Sequence, residues 1–286
     1  MSRMSGWTDK VRILDSTDAD ITSELGVVRG ANHDINRGGV ESRSAVNYEG
    51  KPAYVSTGLS EHNGELVLHV DSLRAFGLIG ETSGTSLVHS PGLPSFEFRQ
   101  QITTSEYLSI SGFKFGSLSV EISAPDEFFE ISLSGQGLSS SKVTGVLDAL
   151  SYSGSPLKWT NVPVKLNNNL VGGLQSATFN FERSLEPRGD VGVVSDDPQY
   201  IGEGPLVINI NDLTVDVVDS SAWDAVLNKV SDDELKVELP NGEVLVLKSI
   251  TWDGADPDER TGEESIGTVS RSGVALDWEI LVYGGS

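Results

Sequence analysis

From residue 48 onward the chain runs in short stretches where apolar and polar residues alternate, separated by Gly, Pro, Asn and Ser. A period of two marks strands with one buried face. In 116–123 the apolar positions are Leu118, Val120 and Ile122, with serines and Glu121 between them, so one side packs and the other meets water. The same pattern predicts strands over 65–70, 95–99, 107–111, 128–134, 176–183, 205–210, 234–239, 243–250 and 274–283. Pro240-Asn241-Gly242 separates two of these runs, and Asn-Gly is expected to turn the hairpin with positive φ at both central positions. Short helices are expected over 71–79 and 220–229, where Asp71 or Ser220 can cap the N-terminus and Leu73, Phe76 and Leu78, or Trp223, Val226 and Leu227, supply an apolar face.

Residues 1–45 are polar, rich in Gly, Asp and Arg, and weakly periodic, which predicts an extended arm or loop that a partner orders. The remainder divides into halves with the same order of elements. Leu66–Val70 leads to a helix, strands, a hairpin and a last strand ending near Gln136, and Leu206–Ile210 opens the same succession toward Tyr283. The expected organisation is therefore an arm (1–45), a first β-sandwich module (46–140) and a second (141–286).

Composition changes this picture in three ways. There is no cysteine, which excludes disulfides and thiolate metal sites. The start lacks the apolar core of a signal peptide, and no apolar run approaches the roughly 18 residues of a membrane span, so a chain kept in water is expected, with no membrane partner. Asp and Glu number 42 against 20 Lys and Arg, a formal charge of -22. That balance argues against wrapping nucleic acid, which needs clustered cations, and suits either a solvated surface in high salt or a face that repels phosphate.

Candidate chemistry is sparse. His33, His62, His69 and His89 are scattered without metal-binding spacing. No Gly-x-Ser-x-Gly elbow occurs, and Gly135-Gln-Gly137 leads into no helix. The acidic stretch 253–264 has the oxygens for calcium but not the spacing of an EF-hand loop, and reads as a solvated hairpin tip. No Asn-x-Ser/Thr sequon occurs. No catalytic, cofactor-binding or metal-ligating residue is assigned, and the chain is expected not to be an enzyme. The competing reading, an enzyme or a carbohydrate-binding sandwich, would gain from a deep pocket lined by aromatics such as Trp159, Trp252 and Trp278; tryptophan in β proteins is more often core.

Three phrases carry a resemblance: Leu93-Pro-Ser-Phe-Glu-Phe98; Tyr107-Leu-Ser-Ile-Ser-Gly-Phe-Lys-Phe-Gly-Ser-Leu-Ser-Val120; and Leu174-Gln-Ser-Ala-Thr-Phe-Asn-Phe-Glu-Arg183 followed by Leu185-Glu186. In this order they resemble the tail tube proteins of long-tailed phages and of related archaeal viruses, over roughly residues 50 to 283. The resemblance implies an all-β fold with one or two short helices, in tandem sandwich modules that join edge to edge into a ring. Rings would stack into a hollow tube conducting the genome without binding it, placing the protein in the virion tail and, during assembly, in the host cytoplasm. Two modules per chain favour a trimeric ring, with a hexamer as the single-module alternative. The implied partners are further copies, a tape measure protein, and terminator and baseplate proteins. Another tail or injection-machine component of the same fold is the second reading. Ser119, Glu121, Ser123 and Glu243 are candidate lumen positions, and the loops Arg29–Lys51 and Glu186–Gly204 are candidate contact arms.

Overall fold

Burial follows the alternation. Leu118, Val120 and Ile122 are fully buried, whereas Ser117, Ser119 and Ser123 are half-covered and Glu121 is exposed. The computed structural model describes residues 10–36, 40–46, 52–57, 59–123, 128–189, 197–216, 233–257 and 268–282. Among them the strands are β1 (Val11–Leu14), β2 (Val27–Asn36), β3 (Val40–Val46), β4 (Pro52–Thr57), β5 (Glu61–His69), β6 (Gly80–Ser83), β7 (Ser86–His89), β8 (Phe96–Gln101), β9 (Glu106–Ser123), β10 (Glu130–Gly137), β11 (Ser139–Thr144), β12 (Val164–Leu166), β13 (Asn169–Leu170), β14 (Leu174–Arg188), β15 (Tyr200–Asp216), β16 (Asp233–Glu238), β17 (Val244–Pro257), β18 (Thr268–Ala275) and β19 (Asp277–Leu281). The fold is all-β, and every pairing is antiparallel.

A central sheet runs β2-β5-β10-β9-β14-β15-β18-β17. A first flank runs β1-β8-β9-β11. A second runs β12-β16-β17-β19, extended past β19 by β7 and β6 and past β12 by β13. The long strands β9 and β17 each belong to a flank and to the central sheet, and both turn the corner at a positive φ, Gly112 at 60° and Ser249 at 51°. The expected strands 107–111 and 116–123 are thus one bent strand.

The flanks cover the apolar face of the central sheet, making a sandwich. Phe98 of the first flank lies beside Gly64 of β5, a side chain's width away. Trp278 of the second flank meets Phe181 of β14 edge-on, with ring centroids 5.8 Å apart. Phe76 stands against both rings, 5.1 Å from Phe181 and 5.3 Å from Trp278. Residues 46–140 and 141–286 contribute neighbouring strands at β9–β14, and one cluster of buried side chains runs through both.

Three expectations are corrected. Within the expected arm of residues 1–45, the described part is built into the fold: β1 pairs with β8, a helical turn spans Thr22–Leu25, and β2 pairs with β5. Val11, Ile13 and Leu25 are buried. The periodicity was faint because β1 has four residues and β2 slips register between Val28 and Gly30, which breaks the alternation. The segment 71–79 forms only a 3-10 turn, Arg74–Leu78; 220–229 lies outside the described residues. At 239–243 only Gly242 has positive φ, at 93°. Its N–H donates to Leu239 O (3.0 Å), and Leu239 N–H donates to Glu243 O (2.9 Å). Pro240 holds φ near -65°, which favours a type I turn closed by an αL glycine over the mirror-image turn.

Candidate functional site

The pairing pattern occurs twice. Phe96↔Phe113, Phe98↔Ile110 and Gln100↔Leu108 of β8–β9 reappear as Asp233↔Ile250, Leu235↔Leu247 and Val237↔Leu245 of β16–β17, each residue 137 positions on (96 against 233, 113 against 250), with the register slip at the same place. The slip in β2 between Val28 and Gly30 reappears in β14 between Leu174 and Ser176, 146 positions on (28 against 174, 30 against 176). The corners match as well, Gly112 with Ser249 (112 against 249). A Cβ on Gly273 would lie 2.8 Å from Thr251 O, and Gly135 is crowded by Lys114 O in the same way (114 against 251).

The central sheet is therefore β2-β5-β10-β9 followed by β14-β15-β18-β17, with β14 in the place of β2 and β17 in that of β9. The join between these sets is the β9–β14 ladder. Leu118 stands opposite Phe181 and Val120 opposite Phe179 on the core side; Ser117 opposite Glu182 and Ser119 opposite Asn180 on the outer side. Ser119 Oγ donates to Asn180 Oδ1 at 2.6 Å. The counterparts of these two strands form the ends of the sheet. Among the described residues, β2 pairs only with β5, and residues 251–257 of β17 pair only with β18. An open edge offers unpaired backbone donors and acceptors to another strand. Ile35 on β2 corresponds to Phe181 on β14 (35 against 181); Phe181 is 1% exposed and Ile35 is 38% exposed.

The outer face is polar and anionic. Across the middle strands it presents Glu61, Asn63 and Glu65 of β5, Ser132 and Ser134 of β10, Ser117, Ser119 and Glu121 of β9, and Thr178, Asn180 and Glu182 of β14; Lys114 stands at the end of the Asn63 row, opposite Gln136. The candidates Ser119, Glu121 and Ser123 lie on this face. Glu243 does not: it is 3% exposed, and its Oε2 accepts from Leu73 N–H at 2.7 Å and from Asn241 Nδ2 at 3.0 Å, fastening the hairpin to the 3-10 turn.

Near the join, a buried ionic group ties four strands together. Arg183 of β14 donates to Pro91 O (3.2 Å), Ser90 O (2.9 Å) and Glu203 Oε2 (3.1 Å), and its Nη2 lies 2.9 Å from His89 Nε2. Glu203 of β15 also accepts from Lys114 Nζ and, at 2.9 Å, from Leu93 N–H. Burial pushes the Glu203 carboxyl up, but the bonds from Lys114, Leu93 and Arg183 outweigh it and the net shift is down. Burial, then the neighbouring Arg183 cation, lowers His89. Arg183 and Lys114 each fall within a quoted phrase and Glu203 within a candidate arm, but nothing in the sequence joins them, since Glu203 and Lys114 lie 20 and 69 positions from Arg183 (203 and 114 against 183).

The two candidate arms are the ends of corresponding hairpins. Arg29–Lys51 takes in all but the first two residues of β2 and the whole of β3, and β3 pairs with β4; Glu186–Gly204 contains the end of the β14–β15 ladder, with Glu186 opposite Gly202 and Arg188 opposite Tyr200. Residues 37–39, 47–51 and 190–196 lie outside the described set.

The histidines go to separate contacts. His33 meets Gln100 (2.7 Å), His62 meets Asp197 (3.0 Å), His69 meets Glu130 (3.5 Å) and His89 meets Arg183. Among the described residues no three His, Asp or Glu side chains gather to hold a metal; 258–264 of the acidic stretch lies outside them. Trp252 and Trp278 are core residues, 6% and 1% exposed. Trp252 Nε1 donates to buried Asp233 at 2.7 Å, and the Arg271 guanidinium lies 4.6 Å over its ring. A groove on the outer face, bordered by Asn63, Ser117, Gln136 and Glu182, has no aromatic in its lining. None of the described helices is long and apolar enough to cross a membrane. No protein-family model matches the sequence, and comparison with curated proteins gives no match.

Proposed function

We propose that the chain is a structural, non-catalytic subunit that assembles with copies of itself into rings, and that the rings stack as the tail tube of a virus. The observation that carries the reading is the β9–β14 join. Within one chain, two sets of strands with the same pairing meet edge to edge, and among the described residues the counterparts of the joined strands, β17 and β2, remain open at the two ends. A contact that uses different surfaces on its two sides propagates head to tail and closes into a ring when the rotation permits. Three chains would set six similar modules around the ring.

The polar face supports the second half of the reading. DNA carries about one negative charge per 1.7 Å of axis. A wall with the Ser, Asn and Glu rows of the outer face would offer phosphate few cations to settle on, since Lys114 and Arg183 nearby are both held by Glu203, so the genome slides. The resemblance of 93–98, 107–120 and 174–186 to tail tube proteins points the same way, and with it come the tape measure, terminator and baseplate partners and the virion tail as the place of work.

Negative-stain electron microscopy of the purified protein at high and low salt tests this. Stacked rings or hollow tubes with three chains per ring are expected. Particles that stay monomeric at high concentration in every salt would overturn the reading, and single rings that never stack would point instead to a terminator or hub of the same fold.

A further inference from the structure

Resting on that ring reading, the internal join also specifies how two copies meet. We infer that β2 of one chain pairs antiparallel with residues 254–257 of β17 in the next, in the register of the β9–β14 ladder. That ladder sets Glu182 opposite Ser117, Phe181 opposite Leu118, Asn180 opposite Ser119 and Phe179 opposite Val120. Moving β14 back by 146 positions and β9 forward by 137 sets Asn36 opposite Gly254, Ile35 opposite Ala255, Asp34 opposite Asp256 and His33 opposite Pro257 (36 against 182, 254 against 117).

One feature of the free chain agrees with this occupant. Ile35 falls on the core side, where its counterpart Phe181 is buried, and it is 38% exposed in the single chain. A second copy would cover it, extending the core across the join. Next to it the register opposes Asp34 and Asp256. Like charges directly across a ladder destabilise it, and their repulsion weakens as the Debye length falls from about 10 Å at 0.1 M to about 3 Å at 1 M. The contact is therefore salt-promoted, in keeping with a chain of formal charge -22.

The chain has no cysteine, so introduced thiols report the register directly. Ile35→Cys with Ala255→Cys is made in the full chain, assembled at high salt, oxidised mildly and run on a non-reducing gel. Ile35→Cys with Asp256→Cys, one position out of this register, is the control. Within one chain the two edges are seven strand spacings of about 4.8 Å apart, beyond the roughly 7 Å Cα limit of a disulfide. Covalent dimers and a closed trimer are expected from the first pair, with at least a tenfold smaller yield from the control. Rings visible by microscopy without cross-linking of the first pair, or with equal cross-linking of both, would overturn this register while leaving the ring reading in place; absence of rings would overturn both. As a check independent of oxidation, Ile35→Lys is expected to keep the circular dichroism of the parent and to lose assembly; rings formed as readily as by the parent would also overturn the inference.

Discussion

At the residue scale, the repeat shows which positions carry strain and which relieve it. Gly112 and Ser249 turn corresponding corners with φ near 60° and 51°. Glycine adopts this conformation freely, while other residues incur a cost of order 1 kcal/mol. Ser249→Gly is therefore expected to be neutral or stabilising, by up to about 1 kcal/mol in urea unfolding. Gly112→Ala is expected to cost about 2 kcal/mol, because the new Cβ would also fall 2.6 Å from Leu138 Cδ1. The Arg183 group makes a second test. Arg183→Met leaves Glu203 with Lys114 and the Leu93 N–H alone and takes the guanidinium from the Ser90 carbonyl, and should destabilise by about 2 kcal/mol. Glu203 and Glu97 are held below the ordinary 4.5, and His69 and His89 below 6.5. The unfolded chain thus takes up protons first, and the stability these groups contribute is full above their ordinary values and lost as pH falls through them. Glu203→Gln should accordingly lose less stability than the parent between about pH 5 and 3, followed by thermal unfolding.

At the scale of elements, the same side chain position does different work in the two edge-type strands. Phe181 on β14 is 1% exposed against Leu118, whereas Ile35 on β2 is 38% exposed. Phe181→Ala should cost about 3 to 5 kcal/mol of monomer stability. Ile35→Ala should cost less than about 1 kcal/mol and show its effect in the sedimentation of assembled material. Most strands were legible because their alternation is long and uninterrupted, as in 116–123. Those missed, β1, β2, β3, β4, β6, β7, β11 and most of β18, are mostly short or bulged. The hairpin between β12 and β13 escaped too, although Asn167 and Asn168 both take positive φ, 49° and 67°, because Asn-Asn is a weaker turn signal than Asn-Gly. The helix expected over 71–79 shortened to a 3-10 turn where Glu243, 170 positions away, takes up the Leu73 N–H that an N-cap would have served.

At the scale of the whole molecule, charge decides when copies meet. With a formal charge of -22, approaching chains repel over the screening length, so assembly should rise steeply between about 0.1 and 1 M salt. Light scattering across a salt series measures it, and assembly that falls with salt would contradict the electrostatic account. The alternation of apolar and polar residues determined, without further help, that this is a β protein with one buried face per strand. The recurrence of element order raised the expectation of two similar halves, which local spacing alone does not decide. Which strands pair, where the long strands bend, and which two edges stay open were decided only in three dimensions. Pairing register and edge status depend on backbone groups more than a hundred residues apart in sequence, and backbone hydrogen bonding leaves no mark on side-chain composition. The placement of Glu243 shows the same limit: an exposed-looking carboxylate at a hairpin was buried because a distant N–H needed an acceptor.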